Sequence, residues 1–129
     1  MTPTSEGPYA LLVDDDQSIL TALTMLLTSF GWKTTKAATA EEALKEAAEK
    51  PFRVAIIDFN MPKVNGLELC RMIRDQNKNE NLVIFIHSGY MAPHHANKIE
   101  SSGANAVIWK PAGLAEIREA FVKYGLLDK

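Results

Sequence analysis

The sequence has 129 residues, of which 47% are hydrophobic and 23% charged, so it predicts one globular domain and excludes global disorder. Its formal net charge is -2, and it has no long run of Lys or Arg that could bind a nucleic-acid backbone. The single cysteine excludes an internal disulfide, and the apolar run at 82–86 is far shorter than the about 20 residues that span a membrane. We expect a cytoplasmic protein with no nucleic-acid or membrane partner.

The predicted domain runs from residue 9 to residue 125. Residues 1–8 contain two prolines and a glycine and have no apolar periodicity, which predicts a flexible tail, and residues 126–129 are predicted to be a short C-terminal tail. Five segments have the composition of strands: 10–13, 33–37, 54–57, 82–86 and 106–109. All but the second are continuously apolar, which is typical of a parallel sheet that is covered by helices on both faces.

Segments with helical periodicity follow the strands. The first has an apolar stripe between residues 19 and 30 and ends at Gly31, and the second begins with a capping box at Thr39 and ends before Pro51. Three more helices are predicted over 67–76, 93–102 and 114–124. This alternation predicts an α/β fold, a doubly wound (βα)5 flavodoxin-like three-layer sandwich with sheet order 2-1-3-4-5.

Acidic side chains follow the carboxyl ends of two strands that this order makes neighbours. Asp14 and Asp15 follow the first strand, and Asp58 follows the third. Three carboxylates in one crevice repel by roughly 3 kcal/mol per pair at an effective dielectric near 20, which a cation would relieve. Oxygen ligands without His or Cys favour Mg²⁺, with Mn²⁺ as the alternative. The sequence therefore predicts a divalent-cation site.

Such a site suits phosphoryl transfer, in which a carboxylate can act as the nucleophile and form an acyl phosphate. Asp58 is the predicted nucleophile, and the cation would join Asp14 or Asp15 to the phosphoryl group. Lys110, after the fifth strand, would neutralise a second phosphoryl oxygen. The hydroxyl of Ser88, after the fourth strand, would donate a hydrogen bond to a third.

Four motifs in this order resemble the receiver domain of two-component response regulators, over residues 9 to about 124. They are the pair Asp14-Asp15, the D-x-x-M-P-x-x-x-G stretch that starts at Asp58, the pair Ser88-Gly89 and the pair Lys110-Pro111. The resemblance implies that a histidine kinase, a histidine phosphotransfer protein or a small phosphodonor phosphorylates Asp58 in the presence of Mg²⁺. It implies a phosphorelay signalling module that switches binding of a downstream protein, rather than a conventional turnover enzyme.

The resemblance also implies further roles for residues near Asp58. The backbone carbonyl of Asn60 would be a metal ligand, and the side chains of Asn60 and Tyr90 would influence how quickly the acyl phosphate hydrolyses. Ser88, Gly89 and Lys110 would bind the phosphoryl group and move on activation.

The expected output face is formed by helix 4, strand 5 and helix 5, and it is also the expected surface for a homodimer. Three residues before Lys110 the family usually carries Tyr or Phe, but this sequence has Val107. Trp109 lies on the same face of the strand as Val107. Two interpretations of Trp109 stay open: it replaces the missing ring at the output face, or it is core packing.

Other interpretations remain beside the receiver domain. Residues 11–16 also match the hhhD-x-D pattern of a haloacid-dehalogenase-like phosphatase, with Asp14 as nucleophile and Asp16 as acid. That interpretation gives Asp58 no role, and 129 residues leave little room for a cap domain. A receiver fold could also serve as an unphosphorylated binding platform. At single positions, Asp16 is expected to cap the first helix and His87 to be a satisfied strand histidine.

Overall fold

The computed structural model describes residues 8–76 and 81–128, and the predicted N-terminal tail therefore lies, except for Pro8, outside the described residues. Five parallel strands form one sheet in the order β2-β1-β3-β4-β5, as the sequence predicts. The strands are β1 (Tyr9–Val13), β2 (Lys33–Ala37), β3 (Val54–Asp58), β4 (Val83–Ser88) and β5 (Ala106–Trp109). The fourth strand extends beyond its predicted end at residue 86, because His87 and Ser88 are still paired with the neighbouring strands.

Helices cover both faces of this sheet and complete the predicted three-layer sandwich. They are α1 (Gln17–Ser29), α2 (Ala40–Glu49), α3 (Gly66–Gln76), α4 (Pro93–Ala96) and α5 (Leu114–Lys123). One core layer lies between the sheet and α2 and α3, and the other lies between the sheet and α1 and α5. No described helix is long and apolar enough to cross a membrane.

Local side-chain hydrogen bonds fix where the first two helices begin. Asp16 accepts a hydrogen bond from the backbone N–H of Ser18 at 2.9 Å, so it is the N-cap of α1, as expected. Thr39 caps α2 in the same way, through the N–H of Glu42 at 3.1 Å. Each such cap stabilises its helix by about 1 kcal/mol. At the other end of α1, Gly31 has a φ of 93°, which glycine adopts without the strain of a side chain.

The fourth helix is much shorter than predicted. The periodicity predicts a helix over 93–102, but α4 is a single turn that ends at Ala96, and turns follow as far as Gly103. Two serines account for part of this difference, because the hydroxyl of Ser101 donates to the carbonyl of Lys98 at 3.1 Å and that of Ser102 donates to Ile99 at 2.6 Å. These side chains compete with the helical hydrogen bonds of the backbone.

The C-terminal end of the domain is packed beyond residue 125. The backbone N–H of Leu126 donates to the carbonyl of Phe121 at 2.8 Å, and its side chain is buried in the core layer of α1 and α5. The segment predicted as a tail over 126–129 therefore includes a core residue. Apolar burial of a leucine is worth about 2 kcal/mol, enough to hold the end of the chain against the sheet.

Candidate functional site

Three carboxylates lie at the carboxyl ends of neighbouring strands of the sheet. Asp14 directly follows β1 and Asp58 is the last residue of β3, and these two strands are paired in register, with Val13 opposite Ile57. The start of α3 lies close behind Asp58. A Cβ on Gly66 would lie 2.7 Å from the carbonyl oxygen of Asp58, so only glycine permits this approach.

Asp14, Asp15 and Asp58 form a compact acidic cluster. One carboxylate oxygen from each lies within 4.8 Å of the others, and Asp14 and Asp58 are buried while Asp15 is exposed. One oxygen of Asp14, Oδ1, accepts the backbone N–H of Asp16 at 2.9 Å, whereas Oδ2 has no hydrogen-bond partner among the described residues. Burial and the nearby Asp58 raise the pKa of Asp14, which shows that its charged form is poorly compensated.

The donor set of this cluster fits a hard divalent cation. All three side chains offer carboxylate oxygens, and Oδ2 of Asp14 is a buried acceptor without a hydrogen bond among the described residues, which a cation would satisfy. Mg²⁺ binds oxygen ligands of this kind and usually keeps several waters.

Lys110 supplies the positive charge that the described structure places against this cluster. Its ammonium Nζ lies 2.9 Å from Oδ1 of Asp58 and 3.5 Å from Oδ2 of Asp14. Burial alone would lower the pKa of Lys110, but the hydrogen bond to Asp58 and the charges of both carboxylates raise it overall. The lysine is therefore fully charged at neutral pH and is held between two acids.

Ser88 reaches the same edge at the end of β4 but is engaged within its own loop. Its buried hydroxyl donates to the carbonyl of Tyr90 at 2.7 Å, and the N–H of Tyr90 donates back to Ser88 Oγ at 3.3 Å. Gly89, between them, is exposed, and a Cβ at this position would lie 3.9 Å from the Cβ of Lys110. The hydroxyl must therefore exchange a hydrogen bond before it can serve a ligand at the acidic cluster.

Comparison with known proteins identifies the family that has this arrangement of residues. Residues 10–122 match the family described as the response regulator receiver domain. The chain belongs to this family. It is a receiver domain of two-component signalling, homologous to chemotaxis and transcriptional regulators whose typical modification is phosphorylation of an aspartate.

Two curated relatives show how such domains are used. The CAI-1 autoinducer sensor kinase/phosphatase CqsS of Vibrio cholerae is 35% identical over 103 residues, which are 79% of this chain and 15% of that protein. The "Probable chemotaxis protein CheY" of Rhizobium etli is 29% identical over 117 residues, which are 90% of this chain and 91% of that protein. The receiver domain thus spans a small part of the sensor kinase but almost all of the chemotaxis protein.

Solved structures agree with the fold. The chemotaxis protein CheY4 of Vibrio cholerae superposes with a TM-score of 0.84 at 26% identity, covering 91% of this chain and 98% of that chain. A response regulator protein from Burkholderia pseudomallei, solved with a phosphorylated aspartic acid, calcium ion and citrate, has a TM-score of 0.80 at 26% identity. It covers 88% of this chain and 65% of the Burkholderia chain.

The phosphatase alternative is not supported in this receiver domain. Asp16, its predicted acid, is exposed and hydrogen-bonded to the backbone N–H and the hydroxyl of Ser18. It lies outside the carboxylate cluster, which instead contains Asp58, the residue that the alternative leaves without a role.

Asn60 and Tyr90 lie at the rim of the receiver site. Both are exposed, and 71% of the Tyr90 surface is open to solvent. Asn60 follows the buried Phe59, whose backbone N–H donates to the carbonyl of His87 at 3.0 Å. Both side chains are therefore accessible from solvent, two residues after Asp58 and Ser88 respectively, and neither adds a charge to the acidic cluster.

His87 is the residue near the site that the sequence interpretation missed. It is buried at the end of β4, opposite Asp58 in β3, and neither ring nitrogen has a hydrogen-bond partner among the described residues. The expectation of a satisfied strand histidine is therefore wrong. Burial, assisted by the positive charge of Lys110, lowers the pKa of His87 to about 4, so the ring is neutral at pH 7. The signal in the sequence was a lone polar residue within a continuously apolar strand.

Val107 and Trp109 lie in β5 on the far side of Ser88 from Asp58. Val107 is half-buried against the core layer of α2 and α3. Trp109, opposite Ser88 in the register, is 53% exposed and belongs to neither core layer. Core packing is therefore the wrong interpretation of Trp109, whereas its part in an output surface stays a prediction.

Proposed function

We propose that Asp58 is the phosphorylation site of this receiver domain. The observation that carries the proposal is the position of Lys110 Nζ, 2.9 Å from the Asp58 carboxylate, beside the acidic cluster of Asp14 and Asp15. The phosphodonor is a histidine kinase, a histidine phosphotransfer protein or a small acyl phosphate. The phosphorylated domain then binds its downstream protein with a different affinity.

The carboxylates of Asp14, Asp15 and Asp58 would hold Mg²⁺, with the backbone carbonyl of Asn60 as a further ligand and Mn²⁺ as the alternative ion. Support comes from the all-oxygen donor set and from the buried Oδ2 of Asp14, which accepts no hydrogen bond among the described residues. The Burkholderia regulator, which carries a phosphorylated aspartic acid and a divalent ion, supports the same combination here. When bound, the cation supplies neutralisation of phosphoryl oxygen charge.

In the transfer step a carboxylate oxygen of Asp58 attacks the phosphorus of the donor. A new O–P bond forms, the P–N bond of a phosphohistidine breaks, and its electron pair returns to the imidazole, which solvent protonates. Lys110 loses part of its contact with Asp58 and follows the charge onto a phosphoryl oxygen. Ser88 exchanges its bond to the carbonyl of Tyr90 for a bond to another phosphoryl oxygen, beside the backbone of Gly89.

Hydrolysis restores the starting state. Water attacks the phosphorus, the bond to Asp58 breaks, and inorganic phosphate leaves with the proton that water has lost. The exposed side chains of Asn60 and Tyr90 flank the approach of this water, so they set the lifetime of the acyl phosphate. Because the group released is the domain's own modification, the protein acts as a signalling domain and not as a conventional enzyme.

We place the output face on α4, β5 and α5. Retraction of Ser88 and Lys110 toward the phosphoryl group would shift the loop that holds Tyr90 and the end of β5 that holds Trp109. The stiff, β-branched Val107 cannot swing as an aromatic ring would, so the exposed ring of Trp109 provides the aromatic surface. The same face would form the interface of a homodimer.

Intact mass spectrometry tests the phosphorylation site. With acetyl phosphate and Mg²⁺ the parent protein gains the mass of one phosphoryl group, whereas Asp58→Asn gains none and excess chelator abolishes the gain. Asp75→Asn, which changes a carboxylate in α3 outside the acidic cluster, is the matched control and gains the group as the parent does. An equal gain in Asp58→Asn would disprove the assignment.

A further inference from the structure

A groove with a volume of about 560 Å³ lies between α3 and the chain from His95 to Ser102, and we call it the α3–α4 groove. On the side facing α3, much of its lining comes from the turns that follow the early end of α4. Six of its lining residues define its chemistry: Val64, Leu67, Met72, Arg71, His95 and Lys98. Of these six residues, only His95 belongs to the proposed output face, because it lies in α4.

The groove combines an apolar floor with a basic rim. Val64, Leu67 and Met72 form the apolar part, and 39% of the Met72 surface is exposed. Neither Arg71 nor Lys98 has a carboxylate within 4.0 Å among the described residues, since the ion pairs found there involve only Lys50 and Lys110. Arg71 donates to the carbonyl of Ser101 at 3.1 Å, which holds the guanidinium at the rim.

The carboxylate in the lining, Glu68, does not neutralise this rim. Its Oε1 accepts the backbone N–H of Asn65 at 2.9 Å, and Asn65 Oδ1 accepts the N–H of Glu68 at 2.9 Å. This reciprocal pair caps the start of α3 and directs the negative charge toward the helix N-terminus. The groove therefore presents two cations against one engaged carboxylate, in a protein whose net charge is -2.

Two contacts join the groove to the phosphorylation site. The ring of His95 meets the ring of Phe59 edge to face, with centroids 5.0 Å apart, and Phe59 directly follows Asp58. On the opposite wall, the N–H of Gly66 donates to the carbonyl of Phe59 at 2.7 Å. A shift of the backbone at Asp58 would therefore change the distance between the two walls of the groove.

We propose that the α3–α4 groove binds an acidic, amphipathic segment of a partner protein. Apolar side chains of this segment would cover the exposed Met72 and the half-buried Val64, and its carboxylates would pair with Arg71 and Lys98. A purely apolar occupant would bury two uncompensated cations, and a basic one would be repelled, so charge complementarity selects the acidic class. The dependence of docking on phosphorylation rests on the proposed function of Asp58, but docking itself does not.

Fluorescence anisotropy with a short labelled peptide that alternates Glu and Leu tests the proposal, with a Lys and Leu peptide of equal length as the control. We expect the acidic peptide to bind with a Kd below about 1 mM and the basic peptide not to bind. Lys98→Glu should weaken binding about tenfold, and Met72→Ser should weaken it by a smaller factor. Arg118→Glu makes the same charge change on α5, across the sheet, and should leave the Kd within about twofold.

Amide chemical shifts locate the peptide, and we expect the changes to centre on residues 64–72 and 95–102. The docking proposal is overturned if the acidic peptide does not bind, if its shifts map elsewhere, or if Lys98→Glu and Arg118→Glu weaken it equally. Phosphorylation with acetyl phosphate and Mg²⁺ should change the Kd at least about threefold, and an unchanged Kd would remove the link to Asp58. If the parent protein gains no phosphoryl group in the mass measurement, the proposed function is refuted, but the conclusion on peptide docking still holds.

Discussion

Two buried ring nitrogens without hydrogen-bond partners distinguish His87 from the residues around it. A neutral imidazole carries one donor and one acceptor, and leaving such groups unpaired in a core costs about 1 to 3 kcal/mol. Asp58 and Lys110 lie nearby, but each is hydrogen-bonded to the other and not to the ring. We therefore expect His87 to destabilise the resting domain.

Replacing His87 by leucine should stabilise the protein. In His87→Leu, a side chain of similar size fills the space without polar atoms, so the free energy of unfolding in urea at pH 7 should rise by about 1 to 3 kcal/mol. His94→Leu, a change at an exposed histidine in α4, is the matched control and should alter stability by less than about 0.5 kcal/mol.

The advantage of His87→Leu should grow as the pH falls. The folded protein holds the pKa of His87 at about 4, below its value of about 6.5 in the unfolded chain, so the unfolded state binds more protons between these values. The free energy of unfolding of the parent should therefore fall as the pH is lowered from 6.5 to 4, by roughly 3 kcal/mol in total, whereas His87→Leu lacks this loss. Urea titrations in chelator across this range measure it, and a pH-independent difference between parent and variant would contradict the assignment.

The charge of Asp14 should also destabilise the metal-free domain. Burial and the neighbouring Asp58 raise its pKa, so the ionised carboxylate is costly when the chain folds. Asp14→Asn keeps an oxygen for the N–H of Asp16 and removes the charge, and we expect it to melt higher than the parent in chelator at pH 7. Differential scanning calorimetry measures the shift.

Added Mg²⁺ separates the charge effect from metal binding. At ten times the Kd, a bound ion stabilises the parent by about 1.4 kcal/mol, whereas Asp14→Asn should gain little. Asp16→Asn, which keeps the cap of α1 but lies outside the cluster, should respond to Mg²⁺ as the parent does. Equal stabilisation of all three proteins would show that Asp14 is not a ligand.

At the scale of elements, α3 is bound to the loop before β5 by Arg74. Its Nε and Nη2 donate to the carbonyl of Gly103 at 3.0 and 2.7 Å, and Nη2 also donates to Asn105 Oδ1 at 3.0 Å. The same Asn105 oxygen accepts the N–H of Ile84 at 2.8 Å. Gly103 has a φ of 96°, and a Cβ at this position would lie 3.2 Å from Cγ of Arg74. The conformation of the loop therefore leaves room for the Arg74 side chain.

Removing this guanidinium should loosen the loop before β5. Arg74→Met keeps the apolar part of the side chain but leaves the backbone carbonyls of Gly103 and Leu82 without their charged donor. We therefore expect a loss of about 2 to 3 kcal/mol in the free energy of unfolding. Arg71→Met, which loses one exposed bond to Ser101, should lose less than about 1 kcal/mol. Hydrogen exchange should accelerate at residues 103–105 in Arg74→Met only, and equal exchange in both variants would refute this role.

At the scale of the whole molecule, the sheet and the acidic cluster were predictable because their signals are local. Continuous apolar runs identify buried parallel strands, and the order 2-1-3-4-5 then brings Asp14 and Asp58 to one edge. The short α4 was not predictable, since Arg71 on α3 and the serine hydroxyls bind carbonyls in the turns that follow α4. The unpartnered nitrogens of His87 likewise depend on tertiary packing that no local pattern reports.

The two tryptophans should report on different parts of the molecule. Trp32 is buried against Phe121 with ring centroids 5.6 Å apart, whereas Trp109 is 53% exposed. Trp32→Ala should therefore destabilise the domain by about 3 to 5 kcal/mol, and Trp109→Ala by less than about 1 kcal/mol. In Trp32→Phe the remaining emission should be that of a solvated indole, and a blue-shifted emission would contradict the exposed position.

Lys110 connects two strands that do not touch. It follows β5, at the edge of the sheet, yet its ammonium contacts Asp58 at the end of β3, with β4 between them. Strands are spaced about 4.8 Å apart, so this contact crosses about 10 Å of sheet, which only a long side chain can span. Among the amino acids, only lysine and arginine combine a side chain of this length with a positive charge. A change of charge at Asp58 can thus act on the edge of the domain perpendicular to the strands, through the flexible methylene chain of Lys110.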